Sequence, residues 1–469
     1  MKNNTLIPAE PIKNVIKKKT LASVVTPLSE GGIGKIIVSG PDALSLVNKV
    51  FKSKKATDFC KGESGRLHYG YIYEDGRRID EVILHTPRRQ ESFTGEELVE
   101  INCHGGIRVV MRAYQYLGSL GAEGVPWDAL LSQSLENGKL DFVQKEAVRE
   151  IVAARTKLGV KVLLDQRSGA LSGALQTCID IIEGIRRSCQ SAARSTETSL
   201  GAGCTNADAL AITALTGCID RLLATASFGM ALTTPQILVI LGKPNVGKST
   251  ILNAILDEDR ALVHHEPGTT RDYICECISV SGIPFEIVDT AGIRDTGDMI
   301  ESMSIEVTFE QLCRARKVLA VFDNARPFDR EDEGVLKALD LWIAQENAVG
   351  FQPGARAAIP VINKCDLPPK LDTGKITSLL QQPVCTLSAL NRAGMDDMNN
   401  RLVREFDTAY HPGRPVVFTG RQRQLLQDAR LLLERETDCL AGSKNPDRRL
   451  RVMGDLEGIL VACLKGKPL

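Results

Sequence analysis

The sequence is poor in aromatic residues and has no excess of charge of either sign. Phe, Trp and Tyr make up 4% of its 469 residues, so the hydrophobic cores must be built mainly from Leu, Ile, Val and Ala. Lys plus Arg and Asp plus Glu are equal, at 58 each, which gives a formal net charge of zero. A neutral chain argues against tight, non-specific binding to nucleic acid driven by bulk charge, although a local basic patch is compatible with it.

Long apolar runs and paired cysteine motifs are missing as well. No apolar run approaches the ~20 residues that cross a bilayer, and the N-terminal lysines lack the apolar core of a signal peptide, so we expect a solvated basic arm and no membrane association. The 13 cysteines show no repeated C-x-x-C spacing, which argues against a zinc site or a disulfide framework. Free thiols predict a reducing, cytoplasmic location. The length leaves room for roughly three domains.

A phosphate-binding loop is the most specific local feature. The apolar run Ile237–Leu241 is followed by G-K-P-N-V-G-K-S at 242–249, which matches G-x-x-x-x-G-K-[ST] between a predicted strand and a predicted helix. Backbone N–H groups of such a loop bind phosphates, assisted by the N-terminus of the helix that follows. Lys248 is expected to reach the β- and γ-phosphates and Ser249 to hold Mg²⁺.

Further nucleotide-binding motifs follow in order along the chain. G-T-T-R-D at 268–272 is a candidate switch I, D-T-A-G at 289–292 matches the D-x-x-G element, and N-K-C-D at 363–366 matches the guanine reader N-K-x-D, with S-A at 388–389 behind the base. A carboxylate at the last position of N-K-x-D accepts the ring N–H and the amine of guanine, a donor pair that adenine lacks. The series predicts a doubly wound α/β GTPase domain.

One position departs from the usual hydrolytic machinery. Ras-like enzymes have a Gln directly after D-x-x-G that orients the attacking water, whereas this chain has Ile293, which carries no polar atom. We therefore expect another group to orient the water and another cation to replace an arginine finger. The run Val318–Phe322 is interpreted as a core strand with no functional residue at its end.

The regions on both sides of this domain differ in their hydrophobic period. Residues 21–120 are typical of a mixed α+β domain, with strands predicted at Lys35–Ser39, Val82–His85 and Leu98–Asn102. The polar segment Gln90–Glu97 fits a surface turn and a ligand site equally well. Apolar residues recur every three or four positions from about 137 and again over 421–438 and 452–464, which predicts helices. These spacings predict a helical domain interrupted by the GTPase domain, with domain limits 1–136, 137–232, 233–409 and 410–469.

These motifs together resemble the MnmE/TrmE family of tRNA modification GTPases. The resemblance rests on G-G-I-G at 31–34, S-F-T-G-E-E at 92–97, H-G-G at 104–106, N-G-K-L-D at 137–141 and the GTPase series. It implies a homodimer formed through an N-terminal domain that binds a one-carbon tetrahydrofolate derivative. It also implies a potassium-dependent GTPase with an FAD-containing, MnmG-like partner, which together add an aminomethyl-type group at C5 of the wobble uridine of tRNA.

The resemblance assigns roles to individual residues. The predicted GTP-binding residues are Asn245, Val246, Gly247, Lys248, Ser249, Thr250, His264, Thr269, Thr270, Asp289, Thr290, Ala291, Gly292, Asn363, Lys364, Cys365, Asp366, Ser388, Ala389 and Leu390. The predicted ion ligands are Ser249 and Thr270 for Mg²⁺, and Asn245, His264, Glu266 and Thr269 for K⁺. Glu301 is expected to position the hydrolytic water and Cys463 to act in the modification. Glu96, Lys139 and Lys467 are the expected folate contacts.

Several departures from the family pattern leave alternatives open. Ile37 stands where the family has an Arg that contacts folate, and Cys463 is shifted by one residue relative to the terminal Lys. Cys463 therefore fits a plain core residue as well as a functional thiol. A potassium-activated GTPase switch that has lost the modification activity, and a ribosome-assembly GTPase, are the alternative functions.

Overall fold

The computed structural model describes most of the chain in two compact units, Met1–Asp141 and Phe142–Leu469. The described residues are 18–54, 64–194, 206–258, 275–288, 312, 314–344, 357–380, 382–406, 408–436 and 446–466. Predicted site residues outside these ranges are His264, Glu266, Thr269, Thr270, Asp289, Thr290, Ala291, Gly292, Glu301 and Lys467, together with Ile293 and the rest of the switch I segment.

The first unit is a mixed sheet with helices on its two faces. Its described strands are β1 Leu21–Val24, β2 Ile33–Ser39, β3 Phe51–Ser53, β4 Leu67–Glu74, β5 Arg77–His85, β6 Leu98–His104 and β7 Glu123–Gly124, in the sheet order β3-β4-β5-β6-β2-β1-β7. Helices α1 (Ala43–Val50) and α2 (Ile107–Ser119) bury apolar side chains against one face. Helix α3 (Trp127–Glu136) packs Leu130 against Ile37 and Leu98, which point to the opposite face.

The second unit contains a largely parallel sheet that begins at the phosphate loop. Its described strands are β8 Gln236–Leu241, β9 Cys275–Val280, β10 Ile283–Val288, β11 Lys317–Asp323, β12 Ala357–Asn363 and β13 Cys385–Thr386, in the order β13-β12-β11-β8-β10-β9. Only β9 pairs antiparallel among them. The associated helices are α9 Lys248–Glu258, α10 Arg330–Ala344, α11 Thr373–Leu380 and α12 Met395–Val403. The parallel order brings the carboxyl ends of β8, β11 and β12 to one edge of the sheet.

Helices from both ends of the second unit share one hydrophobic core. The helices are α4 Phe142–Ala153, α5 Lys157–Arg167, α6 Ala170–Arg194, α7 Asn206–Ala224, α8 Ala226–Thr233, α13 Gly420–Arg435 and α14 Pro446–Lys465. Val143, Leu175 and Ile219 from before the sheet pack with Leu426 and Leu460 from after it. A bundle closed by chain segments on both sides of an α/β sheet confirms the predicted fold class.

The helical stretch Ala207–Thr233 is long and apolar enough to cross a membrane by length and composition alone. It comprises α7 and α8, and Leu215, Ile219 and Leu222 on it are buried in the core of the bundle. A core helix passes the same test of length and composition, so the stretch carries little weight as a membrane span.

Candidate functional site

The phosphate loop joins β8 to α9 and depends on glycine at one position. Residues 242–247 leave the strand after Leu241 and enter the helix at Lys248. Gly247 has a φ of 97°, and a Cβ there would lie 2.2 Å from Nδ2 of Asn363. Any larger residue would therefore strain the backbone and displace the guanine-reader loop. Asn245 also lies in the left-handed region, with a φ of 64°.

Lys248 turns its ammonium group back over this loop. Its Nζ donates to the carbonyl oxygens of Gly242 and Lys243, at 2.8 and 2.9 Å. Burial lowers the pKa of Lys248 because the charged form loses hydration. The cation is thus held at the loop that binds phosphate, next to Ser249 in the first turn of α9. Val246 is buried, whereas Thr250 faces outward.

Lys243 anchors the phosphate loop to α10, a role that the motif reading missed. Its buried Nζ lies 2.7 Å from Oδ2 of Asp329 and 2.8 Å from Oδ2 of the buried Asp332. Burial opposes the charged form, but these hydrogen bonds raise the pKa of Lys243 above its usual range. The acidic residues at the start of α10 were the sequence signal for such a contact. Their spacing within the helix cannot show that they pair with a lysine 86 residues earlier in the chain.

Asn363 connects three segments of the candidate GTP site. Its Nδ2 donates to the carbonyl of Val246 at 2.9 Å, and its Oδ1 accepts from the backbone N–H of Ala389 at 3.0 Å. The Asn363 side chain is buried, so both bonds form away from water. The phosphate loop, the N-K-x-D loop and the S-A loop are thereby held together at one edge of the sheet.

Lys364 and Asp323 form a second connection between these loops. Lys364 has a φ of 65° and donates through Nζ to the carbonyl of Asn245 and to Oδ2 of Asp323, both at 2.7 Å. Asp323 is the last residue of β11. The strand is fully buried, as predicted for a core strand, and its terminal carboxylate in addition contacts a residue of the guanine reader.

The remaining guanine-reader residues lie around an exposed carboxylate. Asp366 is exposed and accepts a hydrogen bond of 2.6 Å from Oγ of Ser388. The backbone N–H of Cys365 donates to the carbonyl of Leu387 at 3.2 Å, which ties the two loops. Ala389 is buried, whereas Leu390 is exposed. Asp366 is therefore accessible to a base while its loop is fixed from behind.

The segment Gln90–Glu97 in the first unit is a turn that leaves Gln90, Glu91 and Phe93 exposed but buries Ser92, Thr94 and Glu96 in a polar network. Oγ of Ser39 bonds Oγ1 of Thr94 at 2.8 Å and donates to Oε1 of Gln133 at 2.6 Å. Ser92 and Thr94 are also bonded to each other, at 2.8 Å. Ser39 lies on strand β2, 55 residues before Thr94. Gln133 lies on helix α3, 94 residues after Ser39. Local composition cannot indicate such partners.

Glu96 lies at the edge of this network among cationic and amide groups. Its side chain is 5% exposed and lies 2.6 Å from Nζ of Lys18 and 3.7 Å from a guanidinium nitrogen of Arg89. Nδ2 of Asn137 donates to it at 3.1 Å. Lys139 donates instead to the carbonyl of Gln90, at 2.7 Å. Of the three predicted folate residues, Glu96 thus lies within the segment Gln90–Glu97 and Lys139 contacts its first residue.

Cys463 is fully buried in the core of the helical bundle. Arg421 donates to the carbonyl oxygens of Ala462 and Cys463, at 3.1 and 3.0 Å, and so satisfies acceptors at the end of α14. The same guanidinium pairs with Glu146 through two bonds of 2.9 Å. The structure places the thiol with the apolar side chains of the bundle and apart from the residues of the GTP site described above.

Among the residues that the structure describes, no group of three or more His, Cys, Asp or Glu side chains could hold a metal ion. One of the two predicted Mg²⁺ ligands and three of the four predicted K⁺ ligands lie outside the described ranges. Of the predicted ligands, the structure describes Ser249 and Asn245, which lie in the phosphate loop and the first turn of α9.

Comparison with known proteins places two segments in defined families. Residues 20–124 match the family described as the GTP-binding protein TrmE N-terminus, and residues 237–349 match the 50S ribosome-binding GTPase family. The chain is similar to the tRNA modification GTPase MnmE of Lactiplantibacillus plantarum, with 33% identity over 394 residues, 82% of this chain and 81% of the relative. It is 31% identical to MnmE of Bacillus subtilis over 429 residues, 90% of each chain.

Proposed function

This chain belongs to the MnmE family of tRNA modification GTPases, and from that membership we propose how its residues serve GTP hydrolysis and the tRNA modification coupled to it. The GTPase activity and its link to tRNA modification are properties of the family. We further propose that the protein acts with an FAD-containing, MnmG-like partner. The product is an aminomethyl-type group at C5 of the wobble uridine of tRNA.

The observation that carries the GTP-binding proposal is the pair of hydrogen bonds made by Asn363. They join the phosphate loop to the guanine-reading loop and to Ala389. A nucleotide seated at this edge has its phosphates over the loop 242–249 and its base against Asp366. The exposed carboxylate of Asp366 accepts the ring N–H and the amine of guanine, while Ser388 fixes its orientation.

Mg²⁺ suits the hydroxyl of Ser249, because this hard cation prefers oxygen ligands and usually shares them with nucleotide phosphates. Thr270 is the proposed second protein ligand. When bound, Mg²⁺ neutralises charge on the phosphate oxygens. For K⁺, the proposed ligands are Asn245, His264, Glu266 and Thr269. The left-handed backbone at Asn245, fixed by the bond from Lys364, sets the position of that side chain.

The proposed hydrolytic residue is Glu301. Ile293 cannot orient water, and a carboxylate can hold the attacking water by accepting its proton in a hydrogen bond. Lys248 stabilises negative charge that develops on the transferred phosphoryl group. The combination of a carboxylate for the water and a monovalent cation for the charge replaces the Gln and arginine finger of Ras-like enzymes.

For the first unit we propose a folate site at Glu96, with Lys139 and Lys467, in a homodimer. Glu96 is a buried carboxylate whose partners Lys18 and Arg89 are themselves half-exposed or more, so a ligand can replace them. Ile37 packs in an apolar cluster with Leu98 and Leu130 and offers folate no polar contact.

The proposal includes the domain limits 1–136, 137–232, 233–409 and 410–469 and a cytoplasmic location. Cys463 is the proposed thiol of the modification step, reached by opening the end of α14.

The test is nucleoside analysis of tRNA from a strain that lacks this gene. Supplying the wild-type gene is expected to restore a modified wobble uridine, and Lys248→Ala is expected not to. Cys463→Ser separates the thiol's role from GTP turnover, which it should leave intact. Failure of the wild-type gene to restore the nucleoside would count decisively against the proposal.

The ribosome-assembly alternative has one specific observation in its favour. Residues 237–349 match the family described as a 50S ribosome-binding GTPase. Co-sedimentation of the protein with ribosomal subunits in the presence of GTP would support that function. A switch that has lost the modification predicts normal GTP turnover without folate binding, which binding of a radiolabelled tetrahydrofolate would contradict.

A further inference from the structure

We propose that the open face of β3, β4 and β5 in the first unit binds a single-stranded segment of RNA. Three of the chain's seven tyrosines lie here. Tyr69, Tyr71 and Tyr73 alternate along β4 with His68, Gly70 and Ile72, which are buried against the helices. The three tyrosines therefore lie on the face away from α1 and α2. We call this set of three the tyrosine row.

The rings of the tyrosine row are evenly spaced and not parallel. Ring centroids of Tyr69 and Tyr71 lie 6.3 Å apart, and those of Tyr71 and Tyr73 lie 6.5 Å apart, with interplanar angles of 49° and 73°. Tilted rings do not stack on each other, so each can take a separate partner. Aromatic side chains on a sheet face bind unstacked bases in this way without needing a particular sequence.

A cation lies over one face of each tyrosine ring, which leaves the other face for a base. Nζ of Lys52 lies 4.7 Å from the ring centroid of Tyr73, Nζ of Lys54 lies 5.1 Å from that of Tyr69, and the guanidinium carbon of Arg78 lies 5.0 Å from that of Tyr71. None of these cations forms an ion pair with a carboxylate within the described part of the chain. A polyanion whose bases stack on the rings would place its phosphates beside these cations.

An arginine-lined cavity lies at the end of the β4–β5 hairpin, where α2 reaches the edge of the sheet next to the tyrosine row. It has a volume of about 330 Å³ and is lined by Arg77, Arg78, Arg108 and Arg112, with Glu74 as its acidic member. Oε2 of Glu74 lies 2.6 Å from Nε of Arg112, so the negative charge of Glu74 is balanced by an arginine of the cavity itself. Arg78 lines the cavity and also lies over the ring of Tyr71. The cavity therefore extends the positive potential beyond the end of the row and suits a phosphate of the same strand.

A second copy of the chain is the main competing occupant, since Leu67 and Ile83 on the same face are exposed. A two-fold interface would bring one patch against its own copy. In such an interface Lys52, Lys54 and Arg78 would lie close to the same three cations of the second copy. The acidic residue nearest the row in register is Glu81, which is paired with Tyr71 across β4 and β5. Charge complementarity therefore favours a polyanion. The inference rests on the proposed function in that tRNA is the RNA concerned.

The test measures binding of a fluorescein-labelled, unmodified tRNA transcript to the full-length protein by anisotropy at several salt concentrations. Tyr71→Ala is expected to weaken binding roughly tenfold, since a base–aromatic stack is lost, and Tyr71→Phe to retain it. Arg108→Ala is expected to lower the slope of log affinity against log salt by about one unit. Lys49→Ala, which removes an exposed lysine from α1 on the other side of the sheet, is the matched control and should bind like the wild type.

Each outcome decides the inference. Wild-type affinity in Tyr71→Ala and Arg108→Ala overturns it while the proposed function stands. Loss of self-association in Tyr71→Ala with unchanged affinity per chain, measured by sedimentation, assigns the face to a second copy and also overturns it. If wild-type protein binds no tRNA, the inference fails, and the nucleoside analysis then decides the proposed function separately. Lys54→Glu, at an exposed position, repeats the test without altering the sheet should Tyr71→Ala not fold.

Discussion

Asp323 accepts a hydrogen bond of 2.7 Å from Lys364, and Lys364 in turn holds the phosphate loop through the carbonyl of Asn245. The carboxylate is 2% exposed. Burial by itself raises the pKa of Asp323, but the hydrogen bonds from Lys364 and from the backbone of Ala325 lower it below its usual value overall. The end of one core strand thus controls a residue of the guanine reader and, through it, the loop that binds phosphate.

Replacing Asp323 by Asn is expected to weaken GTP binding about tenfold, because a charge-assisted hydrogen bond contributes roughly 1.5–3 kcal/mol. Lys364 would lose the partner that orients it. Fluorescence titration with a labelled GTP analogue measures the change. Arg326→Ala is the matched control, since Arg326 contacts the same carboxylate from an exposed position at 3.7 Å. Equal affinities of wild type and Asp323→Asn would contradict the role of Asp323.

The same pair predicts a dependence of stability on pH. The folded pKa of Asp323 lies below its unfolded value, so its stabilising contribution is present above the ordinary carboxyl range and is lost as pH falls through the folded pKa. Urea unfolding at a series of acidic pH values should show a steeper loss of unfolding free energy for wild type than for Asp323→Asn. If the unfolding free energies of wild type and Asp323→Asn fall in parallel with pH, other carboxylates account for the loss of stability in acid.

GTP hydrolysis is expected to be faster in K⁺ than in Na⁺ at equal ionic strength. The proposed site uses Asn245 and the switch I segment, and Na⁺ is too small for a site sized for K⁺. Asn245→Ala should abolish the difference between the two salts by removing a ligand. Phosphate release assayed in KCl and NaCl tests this, and equal wild-type rates in the two salts reject the potassium ligand role.

Glu301→Ala should slow hydrolysis roughly 10²- to 10⁴-fold, the usual contribution of a general acid–base group, while GTP affinity stays nearly unchanged. The reason is that the carboxylate acts on water and makes no proposed contact with the nucleotide. Single-turnover hydrolysis and nucleotide titration separate the two effects. Glu306→Ala, in the same segment, serves as the control. A large loss of affinity in Glu301→Ala would mean that the residue binds nucleotide.

The thiol of Cys463 should react slowly in the native protein, because it is buried in the bundle whereas Cys365 is exposed. Alkylation requires access as well as thiolate character. Mass spectrometry after a short treatment with iodoacetamide is expected to find Cys365 modified well before Cys463, and both modified after unfolding in urea. Rapid labelling of Cys463 in native protein would show that the end of α14 opens readily.

Most of the predicted strands and helices were found from the spacing of apolar residues along the sequence. The predicted strands around 35–39, 82–85 and 98–102 and the helices over 421–438 and 452–464 are present with slightly different limits. An insertion into a helical domain was also predictable, because amphipathic helices on both sides of the GTPase motifs need one another to bury their apolar faces. The strand limits differ because strand ends are set by pairing with neighbours.

The nucleotide site was predicted from motifs alone. The phosphate loop and the N-K-x-D element are short motifs whose spacing dictates local backbone geometry, so their chemistry can be read without a fold. Tertiary structure alone decided three other features: the contact of Asp323 with Lys364, the contact of Lys243 with Asp332, and the burial of the polar segment around Thr94. The physical reason is that these depend on residues 41 to 89 positions apart. Only the packed sheets bring such partners into hydrogen-bonding distance.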